Sequence, residues 1–347
     1  MEAGCPSASS GWQTLPVADA HVCILMNAPE NHVERSVLAS LVRRGLPLFS
    51  VTEHEVYSLF GRHAVFPLPC ETSAPALARF LAWFRPREAG NRAEGDELLE
   101  KNRLMVHELR LASELQRSIL PRGTPPGLPV NLARKYVPYQ YIGGDFYDFV
   151  SLGGQRMGLV IADASGHGIA AAFMTAMFKS AFRLYTQDGE PPSRTLARIN
   201  TEFARTLMTD HFMSAFYLIL DATTNTLSYC SAGHPPQLLF RATGEIEPLS
   251  TLGFLLGSVD NMEFQDRSVT MQPGDRLLLF TDGIVETADS AGAQFGRARL
   301  AEIVRRNFDL SIEEISSELL SEAMMFSDRP TFEDDVTILL AEIAPEL

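Results

Sequence analysis

Four aspartate-bearing motifs, each at the edge of an apolar segment, constrain this chain more than any other feature. They are Gly143-Gly144-Asp145-Phe146-Tyr147-Asp148, Ile161-Ala162-Asp163-Ala164-Ser165-Gly166-His167-Gly168, Leu279-Phe280-Thr281-Asp282-Gly283-Ile284 and Glu333-Asp334-Asp335-Val336-Thr337. A carboxylate beside an apolar strand is partly desolvated, which is costly unless it is paired or bound to a cation. Several converging carboxylates repel one another, and divalent cations relieve that repulsion. Such ligands are all hard oxygens, which select magnesium or manganese over zinc or copper. The glycines let backbone approach closely, and the carbonyl of Ala164 is itself a candidate ligand. Singly each motif is weak, because Asp-Gly after a strand is most often only a turn.

The rest of the chain sets these motifs in context. Its 347 residues suggest about two domains at roughly 150 residues each. Residues 1–15 are small and polar and read as a loose tail. Over 16–92, strand patterns at His21–Met26, Leu48–Thr52 and Ala64–Leu68 alternate with helix patterns at 31–45, 56–60 and 76–84. That alternation predicts a small α/β domain. Its end resembles the last strand and helix of a response-regulator receiver, but no aspartate ends a strand there. It is therefore a degenerate receiver or an unrelated regulatory domain.

Residues 93–120 read as a linker helix. Leu98, Met105, Ala112 and Ile119 recur every seventh residue, with Leu109, Asn102 and Gln116 on the partner positions. The pattern fits a coiled coil that would join two chains, or an amphipathic helix packed on its own chain. Pro121 to Gly127 stop the helix. From 121 to 347 the chain reads as one domain. Strands are expected at Leu132–Tyr136, Gly158–Ala162, Met213–Asp221, Thr226–Ala232, Gln237–Arg241, Arg267–Thr270, Arg276–Thr281 and Val336–Ile343. Helices are expected at Ile169–Tyr185, Pro192–Met208, Gly296–Arg306 and Ile312–Met325. Blocks of strands followed by paired helices favour two stacked sheets over one doubly wound sheet.

Several classes of function are disfavoured. A net charge of -14 argues against bulk nucleic-acid binding. The start of the chain lacks the pattern of a signal peptide, and no apolar run reaches the about eighteen residues of a membrane span. The four cysteines, Cys5, Cys23, Cys70 and Cys230, form no CxxC pair and fit a reducing, cytoplasmic setting.

In this order, the four motifs resemble the metal-dependent protein phosphatase (PPM) superfamily, in its branch of bacterial SpoIIE- and RsbU-like serine phosphatases. The resemblance covers 121–347, and Ser231-Ala232-Gly233-His234-Pro235-Pro236 adds to it. It implies an α+β fold, an α-β-β-α sandwich of two antiparallel sheets flanked by helix pairs. It also implies two divalent cations, manganese or magnesium. Asp163 would bridge them with the Ala164 carbonyl as a further ligand, Asp282 and Asp334 would complete one shell, and Asp145 would stand by the other. The sequence leaves open whether Asp334 or Asp335 points inward, and gives Asp148 a supporting or structural part. The implied reaction is hydrolysis of phosphoserine or phosphothreonine by a metal-bridged hydroxide. The implied partner is a phosphorylated STAS-type anti-sigma-factor antagonist, or another phosphoprotein.

The proton donor to the leaving serine oxygen is not evident. His167 and His234 are candidates, but His167 reads first as a cap of the following helix and His234 as a turn residue. Two rival readings carry less. Gly143-Gly144-Asp145-Phe146 approaches a diguanylate-cyclase signature but has Phe146 where a second acid is needed. A catalytically silent, phosphatase-like adaptor would not need an aspartate at every ligand position.

Overall fold

The computed structural model describes residues 11–17, 20–26, 48–51, 65–67, 92–121, 123, 130–207, 211–329 and 331–343. The chain divides into two compact units, Met1–Glu100 and Lys101–Leu347.

The first unit contains a four-stranded sheet of β1 (Gly11–Val17), β2 (Ala20–Met26), β3 (Leu48–Val51) and β4 (Val65–Pro67), in that order. β1 and β2 are antiparallel, whereas β2, β3 and β4 are parallel. β1 overlaps the tail expected over 1–15, which is a correction. Pro16 obscured it in the sequence, yet β1 is an edge strand, where proline removes no ladder bond. The helices expected at 31–45, 56–60 and 76–84 lie outside the described residues.

Helix α1 (Arg92–Ile119) crosses the division between the units. Along its expected seam Met105 is exposed, Leu109, Ala112 and Ile119 are half-buried, and Gln116 is buried. The end of that seam therefore faces its own chain. A different row, Leu104, Leu111 and Leu115, is exposed.

The second unit is built on two five-stranded antiparallel sheets. One takes β5 (Val130–Val137), β10 (Gln237–Phe240), β11 (Ile246–Leu249), β13 (Arg276–Phe280) and β14 (Val336–Ile343), in the order β11-β10-β13-β14-β5. The other takes β6 (Asp145–Gly153), β7 (Arg156–Ala164), β8 (Met213–Asp221), β9 (Thr226–Ala232) and β12 (Arg267–Thr270), in the order β12-β9-β8-β7-β6. Helices α2 (Ile169–Tyr185) and α3 (Pro192–Thr206) cover the second sheet. A one-turn α4 (Asp282–Glu286) leads to α5 (Gly296–Arg306) and α6 (Ile312–Ser327), which lie on the side of the first sheet. This is the expected α+β sandwich. No helix among the described residues is long and apolar enough to cross a membrane.

The period-2 pattern explains the layers. In β6, Phe146 faces α2, where its ring lies 5.7 Å from that of Phe178. The alternate Tyr147 faces the other sheet, 6.3 Å from Tyr136 of β5. Phe178, Phe182 and Tyr217 extend the aromatic layer beneath α2. Each such pair adds about 0.5–1.5 kcal/mol beyond its area burial.

Two strands of this unit escaped the sequence reading. β6 carries two aspartates, a residue type depleted in strands. β11 contains Pro248, tolerated because β11 is an edge.

Candidate active site

The four motifs meet at one end of the sandwich. Asp145 opens β6 and stands directly across from Asp163 on β7. Opposed residues of an antiparallel pair share a sheet face, so both acids point between the sheets. β13 ends one residue before Thr281, Asp282 begins α4, and Asp334 and Asp335 immediately precede β14. Because β13 and β14 are antiparallel, these acids share that end too.

Asp145 ties the sheets together. Its Oδ2 accepts from Thr281 Oγ1 at 2.8 Å and from Thr337 Oγ1 at 2.6 Å. Thr281 Oγ1 also accepts the Thr337 N–H at 3.0 Å. Burial, with Asp163 and Asp335 nearby, raises the Asp145 carboxyl well above the usual range.

Asp163 is half-buried at the centre. Burial and the carboxylates of Asp282, Asp334, Asp335 and Glu286 push it up to about 8. Asp282 is raised by burial and by Glu286. Asp334 is raised by burial and by Asp282 and Asp335, with His167 opposing. These acids therefore crowd one another without closing on a centre. Among the described residues, no three aspartate, glutamate, histidine or cysteine side chains form a ready ligand set.

The two adjacent acids of the last motif behave differently. Asp335 is buried and its oxygens accept the N–H groups of Tyr139 at 2.7 Å and Gly144 at 2.5 Å. Asp334 is exposed and accepts the Asp335 N–H at 2.8 Å. Gly144 is needed for a close approach, since a Cβ there would lie 2.7 Å from the Ala164 carbonyl oxygen. Ala164 N–H in turn donates to Gly144 O at 3.1 Å.

Asp148 is separate from this group. It faces α2, where Arg183 donates to both its oxygens at 2.7 and 2.6 Å and Lys179 lies at 3.2 Å. His167 is exposed beside Tyr139, with ring centroids 6.3 Å apart. It does not cap α2, which corrects the sequence reading: the N-cap is Gly168, with no side-chain cap bond. A left-handed φ of 80° there suits glycine, so the turn is made by backbone rather than by the imidazole.

His234 is buried, and its Nδ1 lies 2.6 Å from Ser214 Oγ. Burial pushes its pKa down to about 3, so the ring is neutral. Glu286 is the acid that sequence reasoning missed. It lies four residues after Asp282, the spacing that puts two side chains on one helix face.

Comparison with known families matches residues 153–344, more than half of the chain, to Stage II sporulation protein E (SpoIIE). Protein IcfG of Synechocystis sp. is 26% identical over 259 residues, covering 67% of this chain and 41% of that protein. Phosphoserine phosphatase RsbP of Bacillus subtilis is 25% identical over 242 residues, covering 68% of this chain and 58% of that protein. The chain thus spans about half the length of these curated relatives. A crystal structure of the RsbU and RsbW domains of a Mycobacterium tuberculosis protein is 26% identical, with a TM-score of 0.55. It covers 63% of this chain and 61% of that one.

Proposed function

The chain belongs to the SpoIIE family, and on that premise we propose that residues 121–347 act as a metal-dependent protein serine/threonine phosphatase. The observation that carries this reading is the crowding of carboxylates on Asp163. A carboxyl held near 8 by burial and four neighbouring acids is a poor resting state. Bound cations remove that cost. The all-oxygen donor set fits magnesium or manganese.

Asp163 and the Ala164 carbonyl would be central ligands. Asp282 and Asp334 would hold one cation, and Asp145 would stand by the other, directly or through water. Asp334 fits the ligand role better than Asp335, whose oxygens already serve two backbone N–H groups. When bound, the cations supply Lewis-acid charge for the phosphoryl oxygens and the nucleophilic water.

The chain's own residues do the positioning. Thr281 and Thr337 orient Asp145, and Asp335 holds the loop from Tyr139 to Gly144. Asp334 and His167 are exposed, so the site opens to a side chain carried by another protein. A phosphoserine or phosphothreonine on a STAS-type anti-sigma-factor antagonist suits that opening. The relative named phosphoserine phosphatase RsbP supports phosphoserine as the group hydrolysed. Control belongs to the first unit and α1, acting through a homodimer; the exposed Leu104, Leu111 and Leu115 support that part.

The test is hydrolysis of para-nitrophenyl phosphate and of phosphorylated STAS proteins with manganese, magnesium or EDTA. Activity that needs a divalent cation and falls steeply in Asp163→Asn supports the reading. No hydrolysis of either substrate with either metal would leave a silent adaptor instead.

A further inference from the structure

Gln116 lies in the last turn of α1, outside all four aspartate motifs. It is 7% exposed. Its Nε2 donates to Gly143 O at 2.6 Å, and its Oε1 accepts the Gly143 N–H at 3.1 Å. One side-chain amide thus satisfies both backbone groups of one residue, as a neighbouring strand would. Tyr136 OH adds a longer bond of 3.4 Å to Oε1.

The clamp acts on the residues next to Gly143. Gly144 donates to Asp335 at 2.5 Å and accepts from Ala164 at 3.1 Å, and Asp145 comes next. A Cβ on Gly143 would lie 2.5 Å from Asp335 Oδ2, so this segment is wedged against the acids. The end of α1 is fixed as well, because Lys179 Nζ donates to Ile119 O at 2.5 Å and to Asp148 at 3.2 Å. Gln116 therefore acts from a fixed base. A buried amide used only to fill space would be inferior to an apolar side chain of the same length, because its polar atoms must be desolvated.

We infer that Gln116 is a positioning residue for the cation site: its amide fixes Gly143 and Gly144, and through them the Ala164 carbonyl and Asp145. The inference rests on the cation-binding reading of the aspartate cluster. It adds a residue on the preceding helix to the groups on which that site depends. Partners that orient ligands without touching the metal commonly govern affinity by about 10- to 100-fold.

The experiment is calorimetric titration of manganese into the full chain, comparing the parent with Gln116→Met, Gln116→Glu and Glu114→Gln. Methionine keeps the length and apolar bulk but makes neither hydrogen bond. Glutamate keeps the acceptor for Gly143 N–H and loses the donor. Glu114→Gln alters a nearby exposed position and leaves the clamp intact. The manganese Kd is expected to rise roughly tenfold in Gln116→Met and roughly threefold in Gln116→Glu, with Glu114→Gln unchanged. Turnover at saturating manganese should stay within about twofold of the parent, because the ligands themselves remain.

If Gln116→Met fails to fold, as read by metal-free melting, Gln116→Glu decides. An unchanged Kd in the folded Gln116 variants, or an equal rise in Glu114→Gln, overturns the inference. Hydrogen exchange in the metal-free chain separates this failure from failure of the cation reading. Faster exchange at the Gly143, Gly144 and Ala164 amides in the folded Gln116 variant supports the clamp even if the parent binds no manganese. Unchanged exchange there overturns it.

Discussion

The two aspartates of β6 sit three residues apart and have opposite surroundings. Asp148 faces α2, where Arg183 grips both oxygens and Lys179 adds a second cation. Asp145 faces the other sheet, from which it accepts two hydroxyls, and the carboxylates of Asp163 and Asp335 lie nearby. Both are buried. The Asp148 end carries its counter-charge in the covalent chain, whereas no ion pair to Asp145 is present among the described residues. A buried acid with a built-in partner is a structural joint. A cluster of acids without one is a site waiting for a mobile cation.

Substitutions can break this contrast, starting with the largest expected effect. Asp163→Asn should lower phosphatase turnover by about a hundred- to a thousand-fold, measured with saturating manganese, because it removes a central charge. Its metal-free fold should survive, since one of several repelling acids is gone. Asp148→Ala should do the reverse. It should cost about 3 kcal/mol of stability in denaturant melts. That lies at the lower end for a broken buried pair, because Arg183 keeps access to water. Turnover of the folded fraction should change little.

A pH series sharpens the contrast. A carboxyl with a raised pKa binds its proton more tightly in the folded state than in the unfolded one. Its contribution is therefore complete below the ordinary value of 3.8 and is lost as pH rises to about 8. Metal-free melting temperature should fall across that window. Saturating manganese should flatten the decline, because metal binding requires the ionised carboxylate. A melting temperature that rose from pH 5 to pH 8 without metal would contradict the picture of crowded acids. The smallest effect belongs to Glu286→Gln, which should weaken manganese binding roughly threefold by calorimetry, as expected for an exposed neighbouring charge.

The sandwich was largely legible because its helices and most strands carry clean periods. The limits of α5 and of β8, β9, β12 and β14 agree with the pattern of apolar residues. What escaped had a physical cause. β6 hides behind two aspartates that each find a partner on a different face. β1 and β11 hide behind prolines that only an edge strand tolerates. The motif acids were legible as a group, but their division of labour was not. Nothing in Asp334-Asp335 indicates which acid holds backbone, because that depends on Gly144, which lies 191 residues away in sequence. Gln116 stood on a heptad partner position, so the sequence offered a helix seam rather than a clamp.

The most direct measurement is anomalous diffraction from crystals soaked in manganese. Two peaks are expected beside Asp163, one against Asp282 and Asp334 and one toward Asp145 and the Ala164 carbonyl. A well-ordered site with no anomalous density beside Asp163, at manganese concentrations that support hydrolysis, would contradict the central claim.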